Sequence, residues 1–308
     1  MPSPLPHFLR QNLLPVSLLA LMLIGASVLK HKSVIFPEFG ALAAGILVCR
    51  LPLWRERLAD IVVFPVLAAC AATALNLSAL PLALKEALVL GVILGLLRFF
   101  RSAMVPTLSA GLLPLLLHFT SVYYPLSVAA SSVVLASVAL YDKKRFPTER
   151  RVIPTQHPHF LIAFWVLAYA WLLLALMTGY IYLAVPPVLV AAFELMKVRG
   201  QDSFTKGVLL AGCAWGGVLI YHLIPEPVVA GIVIFLGVSL AIAQTGLVLP
   251  PAYALGLLPL ILPQSQQWRY GLSAALGSLV FLGLAKLISE WLPAHLFPPS
   301  GSATAHEL

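Results

Sequence analysis

Val105-Pro106-Thr107-Leu108-Ser109-Ala110-Gly111-Leu112-Leu113-Pro114-Leu115-Leu116-Leu117 returns 145 residues later as Pro251-Ala252-Tyr253-Ala254-Leu255-Gly256-Leu257-Leu258-Pro259-Leu260-Ile261-Leu262. Between Pro106–Leu117 and Pro251–Leu262, seven of twelve positions are identical, including both prolines and the glycine. Such a recurrence predicts two copies of one unit, each built around a Pro- and Gly-marked apolar segment.

The surroundings make that unit a membrane unit. Of 308 residues, 61% are hydrophobic and only 10% charged, and the mean hydropathy is +0.99. Soluble domains carry nearer a quarter charged residues. A chain this apolar needs lipid as the solvent for most of its surface. The net charge of +8 does not require nucleic acid as a partner, because polytopic proteins gather Lys and Arg in cytoplasmic loops. Cys49, Cys70 and Cys213 lie in apolar runs without a CxxC or a Cys/His cluster. Neither a disulfide framework nor a structural metal is expected.

Outward from the repeated stretch, twelve apolar segments can be drawn: 12–29, 34–49, 59–77, 83–97, 103–118 and 121–141, then 159–177, 180–196, 206–223, 227–243, 250–262 and 270–289. The expected fold is an all-α, polytopic transmembrane helix bundle of two parallel six-segment repeats with short Pro-marked helices. Residues 1–141 form the first repeat, 142–158 a basic cytoplasmic linker opening Asp142-Lys143-Lys144-Arg145, 159–292 the second repeat, and 293–308 a disordered tail. Arg10 precedes the run Leu13–Leu29, but no A-x-A cleavage site follows, so the run reads as a retained first helix. With both termini in the cytoplasm and all twelve segments crossing, fourteen of nineteen Lys and Arg fall inside. Lys30, Lys32, Lys85 and Arg269 fall outside, and Lys286 lies within the last span. That asymmetry is what the positive-inside rule expects of a bacterial inner-membrane protein. Six crossings per copy would relate the copies by a pseudo-twofold axis along the membrane normal; a re-entrant 103–118 would leave five crossings and inverted repeats, which would put the basic groups at 98–101 and 143–151 on opposite faces, against the charge pattern.

Twelve helical residues from Pro106 reach roughly 18 Å, against roughly 30 Å of hydrocarbon. Non-helical backbone at membrane depth survives only inside protein or beside a wet cavity. Pro106, Thr107, Ser109 and Gly111, with Pro250, Pro251, Tyr253 and Gly256 of the second copy, are therefore candidates to line a substrate pathway. Free N–H groups of Thr107, Leu108 and Ser109 would suit an anion. The alternative is a kinked helix packed by small residues. Arg98 and Arg101, just before the first Pro segment, are candidate anion-attracting groups, or ordinary inside-positive anchors.

A second marked stretch, Phe36-Pro37-Glu38-Phe39-Gly40-Ala41, corresponds loosely to Val185-Pro186-Pro187-Val188. Glu38 sits just inside the outer edge of its segment, within reach of Lys32 or His31 as a partner. It is a candidate gating or proton group, as is His118; the alternatives are a solvated interfacial acid for Glu38 and a capped or solvated histidine for His118. The expected ion pairs Glu194–Lys197 and Arg57–Asp60 are local, i to i+3. Asn76-Leu77-Ser78 matches a glycosylation sequon by chance. No H-E-x-x-H, G-x-S-x-G, Walker loop or acidic metal cluster is present in the sequence. No cofactor is indicated and the chain does not read as an enzyme.

The layout resembles the HPP family of integral membrane proteins. The resemblance is carried by Phe39-Gly40-Ala41-Leu42-Ala43, the basic loop Leu51-Pro52-Leu53-Trp54-Arg55, the span ending Leu97-Arg98-Phe99-Phe100-Arg101, and Pro250-Pro251-Ala252-Tyr253-Ala254. It covers most of 12–141 and, more weakly, 159–289. Two departures stand out. The signature histidine is replaced by Leu249, with Val105 before Pro106, and two units stand where the usual member has one. Some members are implicated in nitrite transport, so the resemblance implies a transporter or permease for a small solute such as a small anion. The alternative is a non-transporting membrane scaffold or assembly protein.

Overall fold

The computed structural model describes residues 4–146, 156–198 and 200–293, and every regular element among them is helical. Most of the expected linker (147–155), Arg199 and the tail from 294 lie outside the described residues. The start of the linker is not a loop: α7 (Tyr123–Arg145) continues through Asp142, Lys143 and Lys144.

Seven helices are long and apolar enough to cross a membrane. They are α1 (Pro4–Leu29, apolar from Arg10), α4 (Ala59–Asn76), α7, α8 (Pro158–Thr178), α10 (Ser203–Leu223), α11 (Pro227–Thr245) and α13 (Gln264–Trp291). An eighth long helix, α5 (Leu82–Phe99), carries Lys85, Glu86 and Arg98. Chain chemistry marks their ends. Asp202 accepts from the N–H groups of Phe204 and Thr205 at the start of α10. Glu226 does the same for Val228 and Val229, ahead of Pro227 in the first turn of α11. Gly179 and Gly246 close α8 and α11 in the left-handed conformation, φ 72° and 66°.

The other four drawn segments are not straight spans. Residues 34–49 enter as an extended leg and become α2 (Glu38–Ala43), which runs on as a π-helical turn, Ala44–Val48. Segments 103–118, 180–196 and 250–262 hold α6 (Thr107–Leu116), α9 (Pro186–Met196) and α12 (Pro251–Leu257). The basic loop after α2 contains one more short helix, α3 (Pro52–Glu56). At 1.5 Å per residue, the ten residues of α6 reach about 15 Å, half a bilayer core.

Burial separates the two classes. Every residue of α2, α6 and α12 is buried, and in α9 all but Glu194. Long helices instead turn Leu21, Val92, Leu126, Ile162, Leu240 and Leu272 outward. A helix apolar all round must be enclosed, whereas apolar side chains facing outward are at home only in lipid. The result is an inner set of short helices sheathed by long ones. α4 packs on α6 and α7, and α5 on α6; further along the chain α10 packs on α12 and α13, and α11 on α12. Across the middle, α1 meets α11, α8 meets α5, α2 meets α12, and α9 meets α6.

Two buried tyrosines fix the short helices from outside. Tyr124 on α7 donates to the Ala110 carbonyl of α6 at 3.1 Å, and Tyr270 on α13 to the Leu255 carbonyl of α12 at 2.6 Å. The far ends of the short helices are also held. The Asn76 amide donates to the carbonyls of Pro114 (2.6 Å) and Phe119 (2.9 Å), and that of Gln267 to the Pro259 carbonyl (3.2 Å).

Candidate functional site

Each short helix has proline at its start: Pro37 before α2, Pro106 before α6, Pro186 and Pro187 in α9, Pro250 and Pro251 at α12. Proline suits the first turn because its missing N–H would have no intrahelical partner there. The four starts converge on one small cavity, lined by Glu38 and Ala41 of α2, Pro106 and Ser109 of α6, Pro187 and Val190 of α9, Pro251 and Ala254 of α12, and Trp54 of α3. Each of these four starts therefore contributes a pair spaced i, i+3, one face of a first turn. Three pairs begin with proline, and the fourth begins with Glu38. The cavity measures about 10 Å³ as space for the centre of a water molecule, about the room one water needs.

Glu38 and Ser109 supply its only oxygen-bearing side chains, both from the first half of the chain. The Glu38 side chain is 1% exposed, and neither carboxylate oxygen has a hydrogen-bond partner. The expected pairing with Lys32 or His31 does not form. His31 stacks on Tyr123 at 4.3 Å instead, and Glu38, the first residue of α2, is buried against the other short helices. Trp54 reaches the cavity because Gly45 leaves it room: a Cβ at Gly45 would lie 2.3 Å from the indole ring.

Of the sequence candidates, Glu38, Pro106, Ser109 and Pro251 meet at the cavity. Pro250 caps α12 just behind it. Thr107 is buried with its hydroxyl unpartnered. The Tyr253 hydroxyl is turned into a polar chain with Ser239 (3.0 Å), which donates to Asn12 (2.8 Å). Gly111 and Gly256 are contact glycines. A Cβ at Gly111 would meet Ile93 at 2.6 Å, and one at Gly256 would meet Ile234 at 2.9 Å. The expected free N–H groups are absent: those of Thr107, Leu108 and Ser109 donate to the carbonyls of Met104, Val105 and Pro106. The chain turns helically before α6 begins and uses them up.

The candidate arginines lie elsewhere. Arg98 donates to the Gln156 carbonyl beside a lateral crevice between α5 and α8. Arg101 is exposed in a left-handed turn, φ 49°. His118, also left-handed at φ 52°, is exposed beyond the far end of α6. Glu194–Lys197 and Arg57–Asp60 pair as expected, at 2.9 and 3.0 Å. Sequence reasoning missed Trp54, Ala41, Pro187, Val190 and Ala254. The available signal was a small side chain three residues after each proline or acid that opens a short segment. Among the described residues no group of three or more His, Cys, Asp or Glu could hold a metal ion. No family model, curated protein or solved structure matches this chain.

Proposed function

We propose that this protein is a membrane transporter for a small solute, with its pathway through the junction of the four short helices. The carrying observation is the small cavity built from the first turns of α2, α6, α9 and α12. Helices that stop at membrane depth leave backbone ends that must be buried in protein or line a wet space. Broken helices meeting between two repeats are a recurrent way to make a midplane solute site. In the same reading the chain is a parallel tandem repeat in the bacterial inner membrane, with both termini cytoplasmic. The equivalent tyrosine bonds to Ala110 and Leu255 and the crossed packing of α1 on α11 and α8 on α5 support the repeat. The form described is closed, with room for about one water, so passage requires the short helices to part. A small anion such as nitrite, the cargo that the HPP resemblance implies, is the first solute to test.

Flux into vesicles carrying the purified protein, against protein-free vesicles under an imposed nitrite gradient, is the assay. Saturable flux is expected. Ser109→Leu and Ala254→Leu, which fill the cavity from opposite halves, should abolish it while the protein stays monodisperse. Arg98→Ala, at the lateral crevice, should leave it unchanged. Absence of flux for nitrite and for a panel of other small solutes, with folded protein, would leave the scaffold alternative standing.

A further inference from the structure

Glu38 is the one group in the cavity that the solute reading does not explain. A carboxylate that is 1% exposed and has no partner on either oxygen is costly to keep charged. In an apolar setting such a group takes up a proton or holds a cation. The surroundings decide between the two. A hard metal cation is held by six or more oxygens, but the lining offers oxygen-bearing side chains only from Glu38 and Ser109, among proline, alanine, valine and tryptophan.

We infer that Glu38 is a reversible proton-binding site among the short helices, and that its proton travels with the transported solute. The second clause rests on the transport reading; the first does not. An anion can share this small space with Glu38 only when the carboxyl is neutral, so anion entry and proton binding are mutually favourable. Titratable neighbours are few. Tyr124 on α7 and Tyr270 on α13 lie within electrostatic reach, and both hydroxyls are already donated to carbonyls of α6 and α12. Tyr253 of α12 packs against Gly40, a half-turn from Glu38. α6 and α9 present Ser109 and Val190, and no ion pair reaches Glu38.

Infrared spectroscopy of the full-length protein in lipid vesicles, titrated over about pH 5 to 9, reads the carboxyl directly. The expected result is a protonated-acid carbonyl band that bleaches as pH rises and is missing from Glu38→Gln. Glu86, also buried, gives a band of its own, which Glu86→Gln identifies. If Glu38→Gln fails to fold, Glu38→Asp serves instead, because it shifts the band rather than deleting it. Wild-type and variant spectra without a titrating difference overturn the proton site, whatever the flux assay gives. A titrating band together with absent flux leaves the proton site intact and sinks the transport reading. Nitrite flux whose rate does not rise as pH falls, with the band present, overturns the coupling.

Discussion

At the scale of single residues, the most heavily buried charge outside the cavity is Arg55, with no exposed side-chain surface. Its Nη2 sits 2.9 Å from Asp142 and donates to the Phe146 carbonyl at 3.2 Å. Arg50 adds a longer contact to Asp142 at 3.7 Å. Burial draws the Arg55 guanidinium below its usual range, and Asp142 pushes it back up. Removing one member of such a pair strands the other. Arg55→Ala should therefore lower stability by about 3–5 kcal/mol, whereas the double change Arg55→Met/Asp142→Leu should recover most of that loss. Thermal unfolding of the three proteins in one detergent decides it; equal losses in single and double variants would mean the pair contributes only through packing. Sequence showed Arg55 merely as one basic residue in a loop, because its partner is 87 positions away in a stretch that reads as linker. The local pairs were legible for the opposite reason, since three residues of helix bring Glu194 to Lys197 whatever the tertiary structure does.

At the scale of elements, two glycines on α10 separate packing from propensity. A Cβ at Gly217 would lie 2.1 Å from the Gly256 carbonyl of α12, while one at Gly212 would meet nothing within 4 Å. Backbone cannot swing aside as a side-chain tip does. Gly217→Ala should push α12 off α10 and cost about 1–3 kcal/mol, whereas Gly212→Ala should stabilise by about 0.4–1 kcal/mol. Parallel denaturation curves that agree for the two variants would refute the close approach. The Pro-marked short segments were visible in the sequence, since both prolines and the glycine recur at a fixed offset. What the glycines do was not. Small residues mark a wet pathway and a tight helix contact equally well, and only the position of Ile93 and Ile234 against Gly111 and Gly256 tells them apart. The N–H groups expected at the start of α6 were misjudged because the preceding residues look apolar and featureless, yet already turn.

For the whole molecule, sequence conveyed the solvent more readily than the layering. Composition demands lipid, and seven long apolar helices are present. Yet a hydropathy profile gives the buried short helices and the lipid-facing long ones the same signal, so twelve segments look alike until packing sorts them. It placed Glu38 near a boundary for the same reason, as a lone charge at the edge of an apolar run. The proposed orientation is open to a labelling test. Lys144→Cys should react with an impermeant thiol reagent from the cytoplasmic face only, and Arg269→Cys from the opposite face only, in a background lacking Cys49, Cys70 and Cys213. Labelling of both from one side would remove the parallel-repeat topology.

Trp54 and Arg55 are neighbours in one short helix. One lies against Gly45 and seals the chamber where the inner helices meet; the next is clasped by Asp142 near the end of α7. The seal and the clasp are thus one rigid lever about one residue long. A shift of the α3 backbone that carries the indole away from the chamber would carry the guanidinium away from its carboxylate as well, so the packing of the interior and the ion pair on α7 share one support.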